Sequence, residues 1–181
     1  MTQELPEQLQ PTTIKSNLIR ASLFLTAFQI LKAEIVERVR DFYLVDFDEA
    51  GLTYSKDYEA KVLSLDRHKF EASCQWLVSN EALTSEEVDD IQEIRETRNR
   101  IAHNLSNLMF RPGFEVDVRL LNRTRRYVVK LGTFCGGIEV STDPDLYDQE
   151  VDYDGIRSVS SILLDYIIQV SSEHSETEAS P

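Results

Sequence analysis

Between Ile14 and Phe42 apolar side chains recur every three or four residues: Ile14, Leu18, Ala21, Leu25, Phe28, Leu31, Ile35, Val39 and Phe42. That interval is the 3.6-residue period of a helix with one wet face and one buried face. Thr12 or Thr13, just ahead of the run, supplies a capping hydroxyl. The most apolar part, Leu18 to Val36, is interrupted by Arg20, Thr26, Gln29, Lys32 and Glu34. A bilayer span needs ~20 apolar residues in a row, so the run reads as a buried helix and not as a membrane segment. A chain that must cover so long a stripe needs other helices to do it.

The remainder of the chain supplies them. Residues 1 to 12 carry Pro6, Pro11 and no apolar period, which predicts an irregular leader. From Asp46 to Ser64 the composition reads as a connection holding at most a short helical turn. Asp66 is placed to cap a helix through Phe70, Trp76 and Leu77 that ends near Asn80. Thr84 and Glu87 fit the S/T-x-x-E capping box, so a third helix starts near Ser85. Pro112-Gly113 breaks that pattern. Between Phe114 and Leu120 apolar and polar residues alternate as in a strand, yet Val116, Leu120, Tyr127, Leu131 and Phe134 also fit a helix through Thr133 stopped by Gly136-Gly137. Helix is the better reading, since a lone strand would have no partner. Residues 143–154 form an acidic loop without the ligand order of a calcium loop. Asp154-Gly155 opens a last helix through Ile156, Val159, Leu163, Tyr166, Ile167 and Val170, and Ser171 to Pro181 is polar and acidic enough to predict disorder. The expected protein is all-α, one domain over 13–170, a bundle of four to five helices.

With 41% apolar and 28% charged residues, the chain has the balance of a folded domain. Cys74 and Cys135 are the only cysteines and form no C-x-x-C pair, so neither a disulfide framework nor a zinc site is expected. Glu4 and Glu7 carry the wrong charge for a signal-peptide start. These features predict a cytoplasmic protein without metal or cofactor.

The net charge of −13 opposes any bulk attraction to nucleic acid. The distribution is uneven, however. From Arg95 to Lys130 there are nine Lys or Arg against three acids, a net of +6, which leaves −19 on the rest. Arg95, Arg100, Arg119, Arg123, Arg125, Arg126 and Lys130 are therefore candidate RNA-binding residues, the alternative being an ordinary solvated helix face.

Two residues inside this window stand out. Arg98 falls on the apolar stripe of the third helix, with Ile91, Ile94, Ile101, Leu105 and Leu108, where a charge needs a partner. It is either a buried structural cation, paired with a carboxylate or a helix end, or a functional one. His103 is the one histidine placed for chemistry: His68 sits beside Arg67 and Lys69 at a helix start, and His174 lies in the tail. Asn99 and His103 are four apart and share a face, with Glu96 a turn earlier. Arg98 is five positions from His103, about 140° around an ideal helix. Either the arginine curls around the helix or the site combines two chains.

The string Arg98-Asn99-x-x-x-His103 resembles the R-x(4–6)-H motif of HEPN domains in its R-N-x-x-x-H form, and the helix order over 13–170 is similar to theirs. The resemblance implies a homodimer in which motif helices of two subunits meet in a composite site, and a metal-independent endoribonuclease of the kind found among toxins and antiviral-defence proteins. His103 would be general base or acid on the RNA 2′-OH or leaving oxygen. Arg98 would neutralise the charge developing on phosphorus, and Asn99 would orient the phosphate or the histidine. The products would be a 2′,3′-cyclic phosphate and a 5′-OH, and an antitoxin or other regulatory protein would be the partner. Some such toxins carry a tyrosine two residues after the histidine, where a partner nucleotidyltransferase modifies them; here that position is Leu105, so that arrangement is not implied. The competing expectation is a non-catalytic helical dimer serving as an interaction or immunity module. No G-x-S-x-G elbow or P-loop supports another chemistry.

Overall fold

The computed structural model describes residues 6–49, 51–111, 116–146 and 149–178. They form six helices and one hairpin: α1 (Pro11–Asp41), β1 (Leu44–Asp48), β2 (Gly51–Tyr54), α2 (Lys56–Tyr58, continued by a π turn over Glu59–Leu63), α3 (Lys69–Ser79), α4 (Ser85–Met109), α5 (Val118–Thr142) and α6 (Val159–Glu178). Short 3-10 turns occupy Glu7–Leu9, Pro144–Leu146 and Tyr153–Gly155. Among the described residues no helix is long and apolar enough to cross a membrane.

The long first helix is the axis of the molecule. At about 1.5 Å per residue its 31 residues span about 46 Å, and α3, α4, α5 and α6 all pack on it. Ala21, Phe24, Ala27, Leu31, Ile35 and Val39 are fully buried along its length. The buried stripe is rotated slightly from the one the periodicity suggests: Leu18 is 39% exposed, and Phe24 takes the inside place in preference to Leu25. Pro11 opens the helix behind Gln10, not Thr12 or Thr13. Proline suits the first helical position because its missing N–H would have had no partner there.

Several boundaries differ from the sequence expectation for local reasons. The all-α expectation is corrected at 44–54, where β1 and β2 pair antiparallel, Leu44 opposite Tyr54 and Asp48 opposite Gly51. Gly51 sits at φ 125°, a conformation side chains resist, and its N–H donates to Asp48 Oδ1. The strands are only five and four residues long, too short for their alternation to emerge from a loop-like composition. Their root is held by Tyr43, whose hydroxyl accepts from Trp76 Nε1 at 2.9 Å. Asp66 does not cap α3 directly: its carboxylate accepts from the N–H of His68, the residue that precedes the helix.

The capping box at Thr84 and Glu87 is present in both directions, and α4 starts at Ser85. Position 114, where the alternating run begins, and Pro112-Gly113 lie outside the described residues; from Val118 the segment is helix, not strand. Gly136-Gly137 does not end α5, which continues to Thr142. A glycine inside a helix costs about 1 kcal/mol, but here the space left by the missing side chains is used. A Cβ on Gly132 would stand 2.6 Å from Ser158 Oγ, and one on Gly136 2.5 Å from Ile156 Cγ2. Residues 156–158 thus run hard against α5 and set where α6 begins, at Val159 instead of Gly155. α6 is assigned through Glu178; residues 179–181 lie outside the described residues, as do 1–5 of the leader and 147–148 of the acidic loop.

Candidate active site

Arg98, Asn99 and His103 lie on the last regular turns of α4. The helix kinks directly after the histidine: Asn104 has φ −124° and ψ 16°, and its side-chain amide donates to the Arg100 carbonyl at 3.2 Å. The kink gives the motif a helix end on one side. His103 and Arg100 are exposed, and Arg98 and Asn99 are half-buried.

Arg98 bends part of the way around the helix. Its Nη1 donates to Asn99 Oδ1 at 3.0 Å, so the guanidinium reaches towards the side of the helix that Asn99 shares with His103. Its other support is Phe28 of α1, over whose ring the guanidinium carbon stands 5.5 Å from the centroid. A cation over an aromatic face is stabilised by about 0.5–1 kcal/mol or more, and the ring leaves its positive charge uncancelled. Among the described residues no carboxylate pairs with Arg98, and its Nε is shielded from solvent without an acceptor. Phe28 is itself held by stacking on Phe70 at 6.4 Å. The contribution of Phe28 was invisible in the sequence, where it reads only as one more apolar residue of α1.

The other cations of the basic window behave differently. Arg95 bonds Glu71 of α3 and lies over Phe70, 4.7 Å from the ring centroid. Arg123 bonds Asp90 and Glu93, Arg126 bonds Asp90, and Lys130 bonds Glu87 at 2.6 Å, all across the α4–α5 seam. Arg125 bonds Asp165 of α6, and Arg119 bonds Asp117 at its own helix start. Of the cations proposed from sequence to meet RNA, only Arg100 has no carboxylate partner among the described residues. The positive excess read along the chain is thus largely cancelled in space by acids from neighbouring helices, an effect that a count within one window misses.

The seam also shifts proton affinities. Burial pushes the carboxyls of Asp90 and Glu87 up, but their hydrogen bonds outweigh it: Arg123 and Tyr127 hold Asp90 below the usual carboxylate range, and Lys130 with the Thr84 N–H does the same for Glu87. Burial, reinforced by the bond to Asp90, pushes the Tyr127 hydroxyl to about 12. Burial alone dominates at the two thiols, Cys74 at about 12 and Cys135 at about 11, which makes both poor nucleophiles. Among the described residues no three of His, Cys, Asp and Glu converge as a metal would require. Comparison with known proteins finds no matching family model, no matching curated protein and no matching solved structure.

Proposed function

We propose that the chain is a HEPN-like, metal-independent endoribonuclease in a toxin or antiviral-defence role, with Arg98, Asn99 and His103 as its catalytic residues. One observation carries the reading. In a molecule whose other motif-region cations are almost all bound to carboxylates, Arg98 and Arg100 lie within five positions of an exposed histidine and have no carboxylate partner among the described residues. A phosphodiester supplies the counter-charge that the fold does not. His103 accepts the proton of the RNA 2′-OH as that oxygen attacks phosphorus, or donates one to the departing 5′-oxygen. Arg98 stabilises the charge that accumulates on the non-bridging oxygens, and Asn99 orients the guanidinium through its carbonyl oxygen. The bond to the 5′-oxygen breaks, leaving a 2′,3′-cyclic phosphate and a 5′-OH. A homodimer closed through the motif helices remains part of the proposal by resemblance. An antitoxin or other regulatory protein would hold such an activity in check.

The test is cleavage of a mixed RNA pool in the presence of a chelator. The wild-type chain releases fragments with 2′,3′-cyclic phosphate ends, and His103→Ala and Arg98→Ala each slow the reaction by about 100-fold or more. Identical fragmentation by wild type and His103→Ala overturns the reading. The second reading, a non-catalytic interaction module in cytoplasmic immunity, is favoured by the ion pairs of Arg119, Arg123, Arg125, Arg126 and Lys130, which reduce the attraction of α5 for RNA. It predicts no cleavage by either protein.

A further inference from the structure

The end of α4 differs in charge from the rest of the chain. From Thr97 to Phe114 the sequence has no Asp or Glu, although 32 of its 181 residues are acids. Arg111, like Arg98 and Arg100 in the same stretch, has no carboxylate partner among the described residues. Leu105 and Leu108 pack against the core, whereas Arg100, His103, Asn104, Asn107, Phe110 and Arg111 are exposed. At 100° per residue Arg100, Asn104, Asn107 and Arg111 fall within an arc of about 60° on an ideal helix. They make a stripe about 16 Å long, with a guanidinium at each end and amides between. His103 and Phe110 follow one edge of that stripe, seven positions and about 10 Å apart. The helix resumes beyond the kink at Asn104 and runs to Met109, and the Arg111 N–H bonds the Leu108 carbonyl, which carries the winding past Phe110.

Phe110 is 52% exposed and makes no ring contact among the described residues. Three other aromatic residues are comparably exposed, Phe47, Tyr153 and Tyr166, and each adjoins an aspartate in the chain. Phe110 adjoins Arg111. We propose that Phe110 is a stacking platform for a nucleotide base and Arg111 a contact for its phosphate, a subsite that holds an unpaired nucleotide beside the motif. A base offers both things this surface lacks, a flat ring and an anion. Every base has a π-face, so an exposed aromatic side chain binds one with little regard to sequence. The base has to be unpaired, because neighbours cover both its faces in a duplex. Asn107 lies between Asn104 and Arg111 on the stripe, and its amide can both donate and accept at a base edge. The spacing of His103 and Phe110 places the stacked base within about three nucleotides of the scissile phosphate, taking about 3.4 Å per stacked nucleotide. An acidic peptide would satisfy the guanidiniums but has no plane to lay on the ring. The subsite rests on the reading that RNA is held at α4, and not on the cleavage step.

The probe is a short unpaired oligoribonucleotide with 2′-O-methyl groups, which remove the attacking hydroxyl, and with 2-aminopurine at one position, whose fluorescence falls when it stacks. Full-length wild type is expected to bind it and quench it. Phe110→Ala weakens binding by about 5- to 100-fold and abolishes the quench. Phe110→Trp retains both, whereas Phe110→Leu, which keeps an apolar side chain without a π-face, does not. Arg111→Ala lowers the slope of log affinity against log salt by about 0.7. Phe47→Ala, at the exposed ring between Asp46 and Asp48, binds as the wild type does. A wild type that neither binds nor quenches overturns the proposal, as does a Phe110→Leu variant equal to wild type or a Phe47→Ala variant as weak as Phe110→Ala. Tighter binding of labelled polyglutamate than of the oligonucleotide also overturns it and assigns the surface to an acidic partner. Cleavage of unmodified RNA on the same samples keeps the two readings apart. Quenching without cleavage removes the nuclease and leaves the subsite, and undiminished cleavage by Phe110→Ala removes the subsite and leaves the nuclease.

Discussion

Arg98 occupies a position where periodicity calls for an apolar side chain, and the fold answers the charge with a ring and an amide. The ring of Phe28 and the carbonyl oxygen of Asn99 hold the guanidinium without cancelling it. If that support positions the cation for phosphate, Phe28→Leu should lower kcat for RNA cleavage by more than tenfold with little change in KM, because the aromatic face is lost while the cation remains. The accompanying loss of stability should be about 1–2 kcal/mol by denaturant titration, the usual scale for a modest reduction of core volume. Equal loss in kcat and folded fraction would reduce Phe28 to a packing residue. Arg98 and His103 were legible in the sequence because their chemistry conflicts with their surroundings or is rare in the chain. Phe28 was not, since its role depends on a contact seventy positions away.

At the scale of elements, two devices decide how helices sit against each other. The first is the glycine-lined flank of α5. Alanine at position 132 would improve helix propensity by about 1 kcal/mol, but its methyl would meet Ser158 Cβ at 2.9 Å, an atom tied to the backbone that cannot rotate away. The clash wins, and Gly132→Ala should lower stability by about 1–3 kcal/mol in thermal or denaturant unfolding. The second is the seam at Asp90, whose carboxylate serves Arg123, Arg126 and Tyr127 together. Asp90→Asn should cost about 1–3 kcal/mol, as expected when hydrogen bonds to a charged group are lost. It also deprives Arg126 of its carboxylate and leaves Arg123 with Glu93 alone. If α5 guides RNA, the variant should bind a labelled RNA several-fold more tightly and with a steeper salt dependence in fluorescence anisotropy; an unchanged affinity removes α5 from the RNA path. The helices themselves were readable from caps and periods, above all α1 and the box at Thr84. The hairpin was not, because two short strands closed through Gly51 leave too few residues for a period to register.

For the whole molecule, the paired groups set a pH window of stability. Asp90, Glu87 and Asp165 have folded pKa values below their unfolded ones, Asp165 chiefly through its bond to Arg125. Their contribution is complete above the unfolded carboxylate range near 4 and is lost as the pH falls through the depressed folded values. At the other end, Cys74, Cys135 and Tyr127 have raised folded values of about 12, 11 and 12. They stay protonated in the fold while the unfolded chain ionises from about pH 9 to 10, so stability starts to decline there and goes on declining until the pH reaches the folded values. Urea midpoints should therefore be highest around neutrality and fall on both sides, and Tyr127→Phe should flatten part of the alkaline decline. A midpoint that is level from pH 8 to 11 would contradict the burial of these groups.

What the sequence determined alone was local: the period of α1, the capping box that starts α4, the proximity of Asn99 and His103 one turn apart, and the oddity of an arginine on an apolar stripe. Each depends on residues within a few positions of one another, where helix geometry leaves little freedom. The tertiary structure decided what depends on contacts between distant residues. It cancelled most of the basic window with acids from α3, α4 and α6, laid Arg98 over Phe28, and kept α5 helical past its glycines by using their space for Ser158 and Ile156. Charge and volume act through space, and a linear chain states neither which carboxylate a cation will meet nor which aromatic ring will remain uncovered.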